Sequence, residues 1–314
     1  MIRYTLIRLG QSLITLFLII TVVFLLLRLM PEEGYFEENY DKLDESQKQA
    51  VLKKMGLTDP VHIQLFKFYK NLLKGDFGKS IKFRPNVPIV KIIEPKIPYS
   101  VKFGLMGVLL SIVIGIPMGI LAAGFKGKIP DHLCYLYIVI INAVPSAVYF
   151  LFIQLYGTGI FHIPMLFDSS KPVTWILPAI SMSLGGAASY AMWIRRYMVD
   201  ELNKDYIRLA RAKGLKNTAV MSKHVVKNAF VPIAQYLPST ILFTINGSLF
   251  IEAIYSIPGM GGLLVTAIQR QDNTLIQALV LIFSSVGIIG LFLGDVLMAM
   301  VDPRIKLVRK EGTR

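Results

Sequence analysis

A chain of 314 residues that is 54% hydrophobic and only 17% charged, with a mean hydropathy of +0.56, is not a soluble globular domain, in which about a quarter of the residues carry charge. Its apolar residues come in blocks of roughly 20, the length that ~30 Å of hydrocarbon demands of a helix rising ~1.5 Å per residue, so an all-α polytopic membrane protein is expected. The net charge of +14 reads as topology, with Lys and Arg kept on the cytoplasmic side, rather than as nucleic-acid binding. The one cysteine, Cys134, lies in an apolar run; it offers no disulfide framework or Cys-based metal site and reads as a small buried apolar residue.

The first predicted element is a helix over about 9–30. Arg3 and Arg8 give it the basic start of a secretory signal, but Leu9–Leu27 exceeds a signal core and no A-x-A cleavage site follows. An uncleaved span with a cytoplasmic N-terminus is expected. In the polar segment 31–100, SQKQAVLKKM reads as a helix and HIQLFKFYKNLLK as a broadly amphipathic one, which together predict a small helical cap on the outer face. Further spans follow at about 101–125, interrupted by Gly115, Pro117 and Gly119, and at 132–156, holding Asn142 and Pro145. The remaining three lie at about 173–194, 231–255 and 275–300. Gly and Pro are tolerated inside such spans because neighbouring helices satisfy the freed backbone groups. Gly185-Gly186-Ala187-Ala188 in the fourth predicts close helix contact through small residues.

Charge orients these six spans. The segments 126–131, 195–230 and 301–314 fall in the cytoplasm; between Arg195 and Lys227 nine basic residues face three acidic ones, and after Val301 five face two. The short outer loops pair Lys171 with Asp168 and Arg270 with Asp272. Both termini are thus expected inside. The twelve basic and ten acidic residues of 31–100 nearly cancel, and so long a loop is exempt from the rule.

GDFGKS at 75–80 ends like a phosphate-binding loop, but the glycine needed five residues before Gly78 is Leu73, so its amides cannot curl round a nucleotide. His62, His132, His162 and His224 follow no ligand spacing. No Ser/His/Asp or paired-carboxylate arrangement stands out, so neither catalytic nor metal-ligating residues are expected. Ionisable residues in spans are expensive in lipid and point to function by default. Arg28 and Lys102 at outer boundaries can snorkel, whereas Glu252 and Asp295, with Asn142 and Asn246, are candidates for a translocation path or gate. A structural ion pair or hydrogen bond is the competing reading of the two acids.

The sharpest signal is DYIRLARAKGLK at 205–216. Read as a helix from about Leu202 to Lys213, it places Leu202, Tyr206, Leu209 and Ala210 on one face, and Lys204, Arg208 and Arg211 on the other. Gly214 can take the left-handed conformation that ends a helix.

This stretch, followed by HVVKNAFVPI, resembles the cytoplasmic EAA loop of bacterial ABC-importer permeases, in the form of the oligopeptide/dipeptide/nickel branch, and most of all its oligopeptide permease B-type subunits. Arg208, Leu209 and Ala210 occupy the Glu-Ala-Ala places and Gly214 keeps the glycine, while His224-Val225-Val226-Lys227 replaces the later Ile-x-Leu-Pro. LMP at 29–31, GLTDP at 56–60, GDFGKS, EAIYSIPGMG at 252–261 and DPRIKL at 302–307 agree. Asp272-Asn273 stands where many relatives have Asp-Tyr.

The resemblance implies a type I importer fold. An N-terminal helix (1–30) precedes a five-helix core (101–304) that carries the coupling loop 195–230, with the extracytoplasmic insertion 31–100 between helices 1 and 2 and a cytoplasmic tail at 305–314. It also implies a homologous second permease, two cytoplasmic ATPases that bind ATP and Mg, and an extracytoplasmic substrate-binding protein. Asp205, Tyr206, Arg208, Leu209, Ala210, Arg211, Ala212, Lys213, Gly214 and Leu215 would then form the ATPase-coupling element. The implied cargo is a peptide; a dipeptide or nickel importer of the same branch, or a self-sufficient secondary transporter using Glu252 and Asp295, are the alternatives.

Overall fold

The computed structural model describes residues 2–36 and 40–301; DPRIKL and the tail 305–314 lie outside them. Among the described residues every regular element is helical. Helix α1 (Ile2–Leu27) is followed by the cap helices α2 (Glu45–Lys54), α3 (Val61–Leu72) and α4 (Ile89–Ile93). Next come α5 (Ile97–Gly124), the bent pair α6 (Ile129–Ala143) and α7 (Ser146–Phe161), and α8 (Ile176–Leu202). The short α9 (Asp205–Ala212) and α10 (Asn217–Val220) lead through a π-helical turn, Met221–Val226, into α11 (Lys227–Phe243). Helices α12 (Leu249–Ile254), α13 (Met260–Gln269) and α14 (Asn273–Val301) complete the chain.

Among the described residues three helices are long and apolar enough to cross a membrane: α1 from Thr5, α5, and α14 as far as Val296. The expected span 132–156 is instead broken between α6 and α7 by a bend of 105°. Pro145 N-caps α7 with extended backbone (ψ 133°), and the ring also disfavours helical backbone at the residue before it. The expected span 231–255 breaks as well: α11 stops at Phe243, and Gly247, at φ +69°, turns the chain into α12.

Helix α8 runs eight residues past the expected end at 194. It is the buried centre of the bundle, with Ala187, Ala188, Ala191, Ile194 and Met198 fully enclosed. Neighbouring helices cover this face of α8, so it needs small residues there more than apolar bulk. The seam with α5 shows why: a Cβ on Gly115 would fall against the Ala187 backbone, and one on Gly119 against Ile194 and the Ala191 carbonyl. From the α8 side Gly186 meets Ser111, whose hydroxyl donates across the seam to the Ser183 carbonyl at 2.9 Å. The contact predicted from Gly185–Ala188 is therefore present, and α5 supplies its other half.

Helix α14 packs between α1 and α11. The Ser239 hydroxyl donates to the Gly290 carbonyl at 3.2 Å and the Asn246 amide to that of Phe283 at 3.3 Å, so α11 and α14 run antiparallel. The cap helices α2 and α3 fall where the sequence places them, α4 is an addition to them, and α2 begins with a reciprocal capping box between Asp44 and Gln47. Only part of the cap sits over the bundle end. Helix α3 lies along α1, with Tyr69 stacked on Phe17 at 5.2 Å and Phe68 against Phe24 at 5.0 Å.

Candidate functional site

The basic segment forms a short rod standing off the bundle. Asn203 ends α8, donating its side-chain amide to the Val199 carbonyl, and Lys204 supplies the extended N-cap of α9. Leu202 thus belongs to α8, and α9 is shorter than the expected 202–213. Its buried face is also rotated from the expected one. Ile207 and Ala210, three residues apart, are enclosed by Ala123, Ile194, Met198, Val220, Val225 and Ala229, whereas Tyr206 and Leu209 are exposed. The break at Asn203 resets the helical phase, so a face counted from Leu202 misses the true one.

Gly214 sits at φ +81°. Its N–H donates to the Arg211 carbonyl at 2.9 Å and that of Leu215 to Ala210 at 3.3 Å, the paired bonds of a Schellman end. A Cβ there would meet nothing within 4 Å, so the glycine is required by backbone conformation and not by space. The Tyr206 hydroxyl hydrogen-bonds Glu201 on α8 and accepts from the Asn228 side chain of α11 at 2.7 Å. Exposed on the outer side are Asp205, Arg208, Leu209, Arg211, Ala212, Lys213, Gly214 and Leu215. Arg208 touches only Asp205 of the same helix, at 3.4 Å. The product is an exposed cationic ridge with a leucine in it, locked to α8 and α11 from behind.

Near α9 the α5–α6 turn is fastened to α8. Arg195 grips the Asp131 carboxylate with two bonds, at 2.5 and 2.8 Å, and Asp131 also accepts from the Gly127 N–H at 2.9 Å. Sequence reasoning missed this pair because its members are 64 residues apart.

Glu252 is buried, and its carboxylate ties three elements together. Oε1 accepts from the Ser100 hydroxyl of α5 at 2.7 Å and from the Ser248 N–H at 3.3 Å; Oε2 accepts from the Gly262 N–H of α13 at 2.8 Å. Ser100 in turn accepts from the Met260 N–H at 2.7 Å. Side chains at Gly247 or Gly259 would collide with this carboxylate, and one at Gly261 with the Ser248–Leu249 backbone, which accounts for both glycines of EAIYSIPGMG. Asp295 faces Arg8 of α1 at 3.4 Å. Asn142 is exposed one turn before the α6–α7 bend and donates to the Ile138 carbonyl at 2.8 Å. Asn246 lies in the α11–α12 break, its Oδ1 buried without a partner. The four candidate path residues are thus dispersed and form no common cluster.

A second buried acid, Asp272, decides what GDFGKS does. Asp272 Oδ2 accepts from the Ser80 hydroxyl at 2.6 Å and from the N–H groups of Ile81, Lys82 and Phe83, each at 3.0 Å. Oδ1 accepts from Thr274 and the Leu275 N–H. Successive backbone amides form an anion-binding nest, filled here by the chain's own carboxylate. Burial alone would raise the pKa of Asp272, but the donors from Phe83, Ser80, Leu275 and Lys82 outweigh it and hold the group below its ordinary 3.8. Asn273 donates to the Pro31 carbonyl at 3.1 Å and covers Gly34. Asp272-Asn273 therefore pins both ends of the cap to the start of α14.

The profile of the binding-protein-dependent transport system inner membrane component matches residues 115–307, and that of the N-terminal part of such membrane components matches 1–94. The chain belongs to this family. Family membership makes it an integral inner-membrane transport component rather than a catalytic subunit, and α9 lies within the matched core. It is 32% identical over 308 residues to the dipeptide transport system permease protein DppB of Lactococcus lactis, covering 98% of this chain and 100% of that one. It is 30% identical over 308 residues to the oligopeptide transport system permease protein OppB of Salmonella typhimurium, with the same shares. Among solved structures, the inward-facing MetNI methionine ABC transporter matches with a TM-score of 0.53 at 14% identity, covering 68% of this chain and 98% of that one. That likeness supports an all-helical ABC-importer permease fold.

Proposed function

We propose that this chain is one permease subunit of an ATP-driven peptide importer, and that α9 is the element through which a cytoplasmic ATPase drives it. Family membership and the names of the dipeptide and oligopeptide relatives support the peptide reading. The coupling role rests on one observation. Helix α9 buries Ile207 and Ala210 against the ends of α8 and α11 while exposing Arg208, Leu209, Arg211 and Lys213, and Gly214 fixes where it ends. A rod locked behind and cationic in front moves as a body when its front is pushed.

The complete assembly in this reading holds a homologous second permease, two ATPases carrying ATP and Mg, and an extracytoplasmic binding protein. The chain crosses the membrane six times with both termini inside: α1, α5, the α6–α7 pair, α8, α11–α12 and α14 supply the crossings, and 31–100 lies outside. ATP binding closes the ATPase pair and biases the permeases between inward- and outward-facing states. Asn142 and Asn246 contribute to the path at the helix breaks. Glu252 and Asp295 act on gating through the contacts they hold rather than as free ion-coupling carboxylates. Gly214→Asp tests the coupling assignment: uptake of peptide should be lost while membrane insertion and subunit assembly persist. Normal uptake by that variant would refute it.

A further inference from the structure

A cavity of about 590 Å³ lies between the cap and the ends of α1 and α14. Because α1 and α11 both run antiparallel to α14, with Arg8 beside Asp295 and Ser239 beside Gly290, this is the end of the bundle opposite α9. One part of its wall is apolar, from Phe36, Leu43, Val51, Met55 and Leu57. The polar part holds Arg28, Lys79, Asn86 and Gln277 and, among the described residues, includes no acidic side chain. Arg28 keeps one bond, from Nη1 to the Tyr35 hydroxyl at 3.0 Å, and lies over the Phe24 ring at 4.7 Å. Its Nε and the Gln277 Nε2 are buried N–H donors without an acceptor. Other polar groups nearby are already engaged: Ser80 bonds Asp272, and Thr274 donates to the Lys79 carbonyl. What is left over is therefore two cations and two side-chain amides, of Gln277 and Asn86, beside an apolar wall.

Unmet donors next to an uncompensated guanidinium call for an anion, and the apolar wall calls for a hydrocarbon chain attached to it. The position says where such a molecule comes from. Arg28 stands one residue beyond α1, whose flank (Leu18, Val22, Leu25, Leu26) is exposed apolar surface. Alongside, α3 leaves Phe66 and Leu73 almost fully exposed, so the cap itself reaches the lipid beside the cavity. We propose that this cavity binds an anionic amphiphile, the headgroup and upper chain of an acidic phospholipid of the outer leaflet, with Arg28, Lys79 and Gln277 as the headgroup contacts.

The test uses the full chain, purified with its accompanying subunits from vesicles of equal phosphatidylglycerol and phosphatidylcholine, with retained lipid quantified by mass spectrometry. Phosphatidylglycerol should be enriched over phosphatidylcholine, and Arg28→Gln and Lys79→Gln should each lower that enrichment by about fivefold, the factor that one interfacial cation contributes. Gln277→Leu, which removes a donor without touching net charge, should lower it too. Lys82→Gln, a cap cation outside the cavity, should not. A second arm offers free dodecanoate to delipidated protein in neutral detergent. Binding that disappears with Arg28→Gln in this arm alone assigns the same site to a soluble fatty acid. Equal enrichment in wild type and all three cavity variants, together with no Arg28-dependent dodecanoate binding, would overturn the proposal. Lys79 is exposed, so its variant stays informative if Arg28→Gln misfolds.

Discussion

Asp272→Ala should release the cap from the bundle. On the cap side the substitution leaves four donors facing a methyl group, the Ser80 hydroxyl and the N–H groups of Ile81, Lys82 and Phe83, and at the start of α14 it also takes the acceptor from Thr274 and the Leu275 N–H. Ser80 and Ile81 are buried, whereas Lys82 and Phe83 are half-buried and can recruit water. At about 1–3 kcal/mol for each buried donor left unmet, the local cost is about 2–6 kcal/mol. The assay is limited trypsin digestion of the assembled protein at Lys79 and Lys82. If cleavage follows local opening, even the lower figure accelerates it about 30-fold. Asp272→Asn keeps one acceptor and should fall between.

The same site predicts an acid dependence. The native pKa of Asp272 lies below the ordinary 3.8, so its stabilisation is complete above 3.8 and is lost as pH falls through the lower native value. Cap opening in wild type should therefore rise below pH 3.8, and Asp272→Asn should lack that rise. Digestion at equal rates in wild type and Asp272→Ala at neutral pH would refute the assignment of the loop as an internally filled nest.

Two further outcomes follow from the packing. Gly115→Leu forces a side chain into the Ala187 backbone, with Cα at 2.9 Å from its Cβ; a backbone cannot give way as a side chain can, so a loss of at least about 1–3 kcal/mol is expected. Thermal unfolding should show it, and Gly10→Leu, with open space around it, should melt like wild type. Ile207→Ala should destabilise the chain by about 2–5 kcal/mol. Leu209→Ala, on the exposed face, should leave stability within about 0.5 kcal/mol yet weaken ATPase co-purification.

How much of this was legible depended on the range of the signal. Local patterns carried the positions of α1, α5, α14 and the cap helices, and the helix end at Gly214. Prolines did not sort themselves: Pro117, Pro232 and Pro238 sit inside continuous helices, whereas Pro145 marks a 105° bend. Nothing within a few residues distinguishes them, because neighbouring helices decide whether a freed carbonyl is satisfied. The face of α9 was misjudged because eight residues hold barely two turns, and the phase depended on the break at Asn203. Hardest of all was the Asp272 nest, whose members lie 189–192 residues apart. GDFGKS fails as a nucleotide loop, and the amides that bind the carboxylate, those of Ile81, Lys82 and Phe83, lie just beyond it.

The seam between α5 and α8 also limits how the bundle can change shape. Side-chain-free contact at Gly115, Gly119 and Gly186, with the Ser111–Ser183 bond across it, leaves no room for sliding. The Arg195–Asp131 clamp ties α8 to the first turn of α6, just beyond the end of α5, on the α9 side. Tightly interlocked surfaces move as units, and displacement is absorbed where backbone bonding is already irregular. Those places are the π-helical turn Met221–Val226, the break at Gly247 and the α6–α7 bend. We therefore predict that spin labels at Leu109 and Ile180, on the exposed faces of α5 and α8, keep their separation when ATP is added to the assembled transporter. A pair at Leu109 and Tyr236, spanning α5 and the exposed side of α11, should change. Movement within the first pair comparable to the second would mean that the seam slides, and that α5 and α8 do not carry the push from α9 as one body.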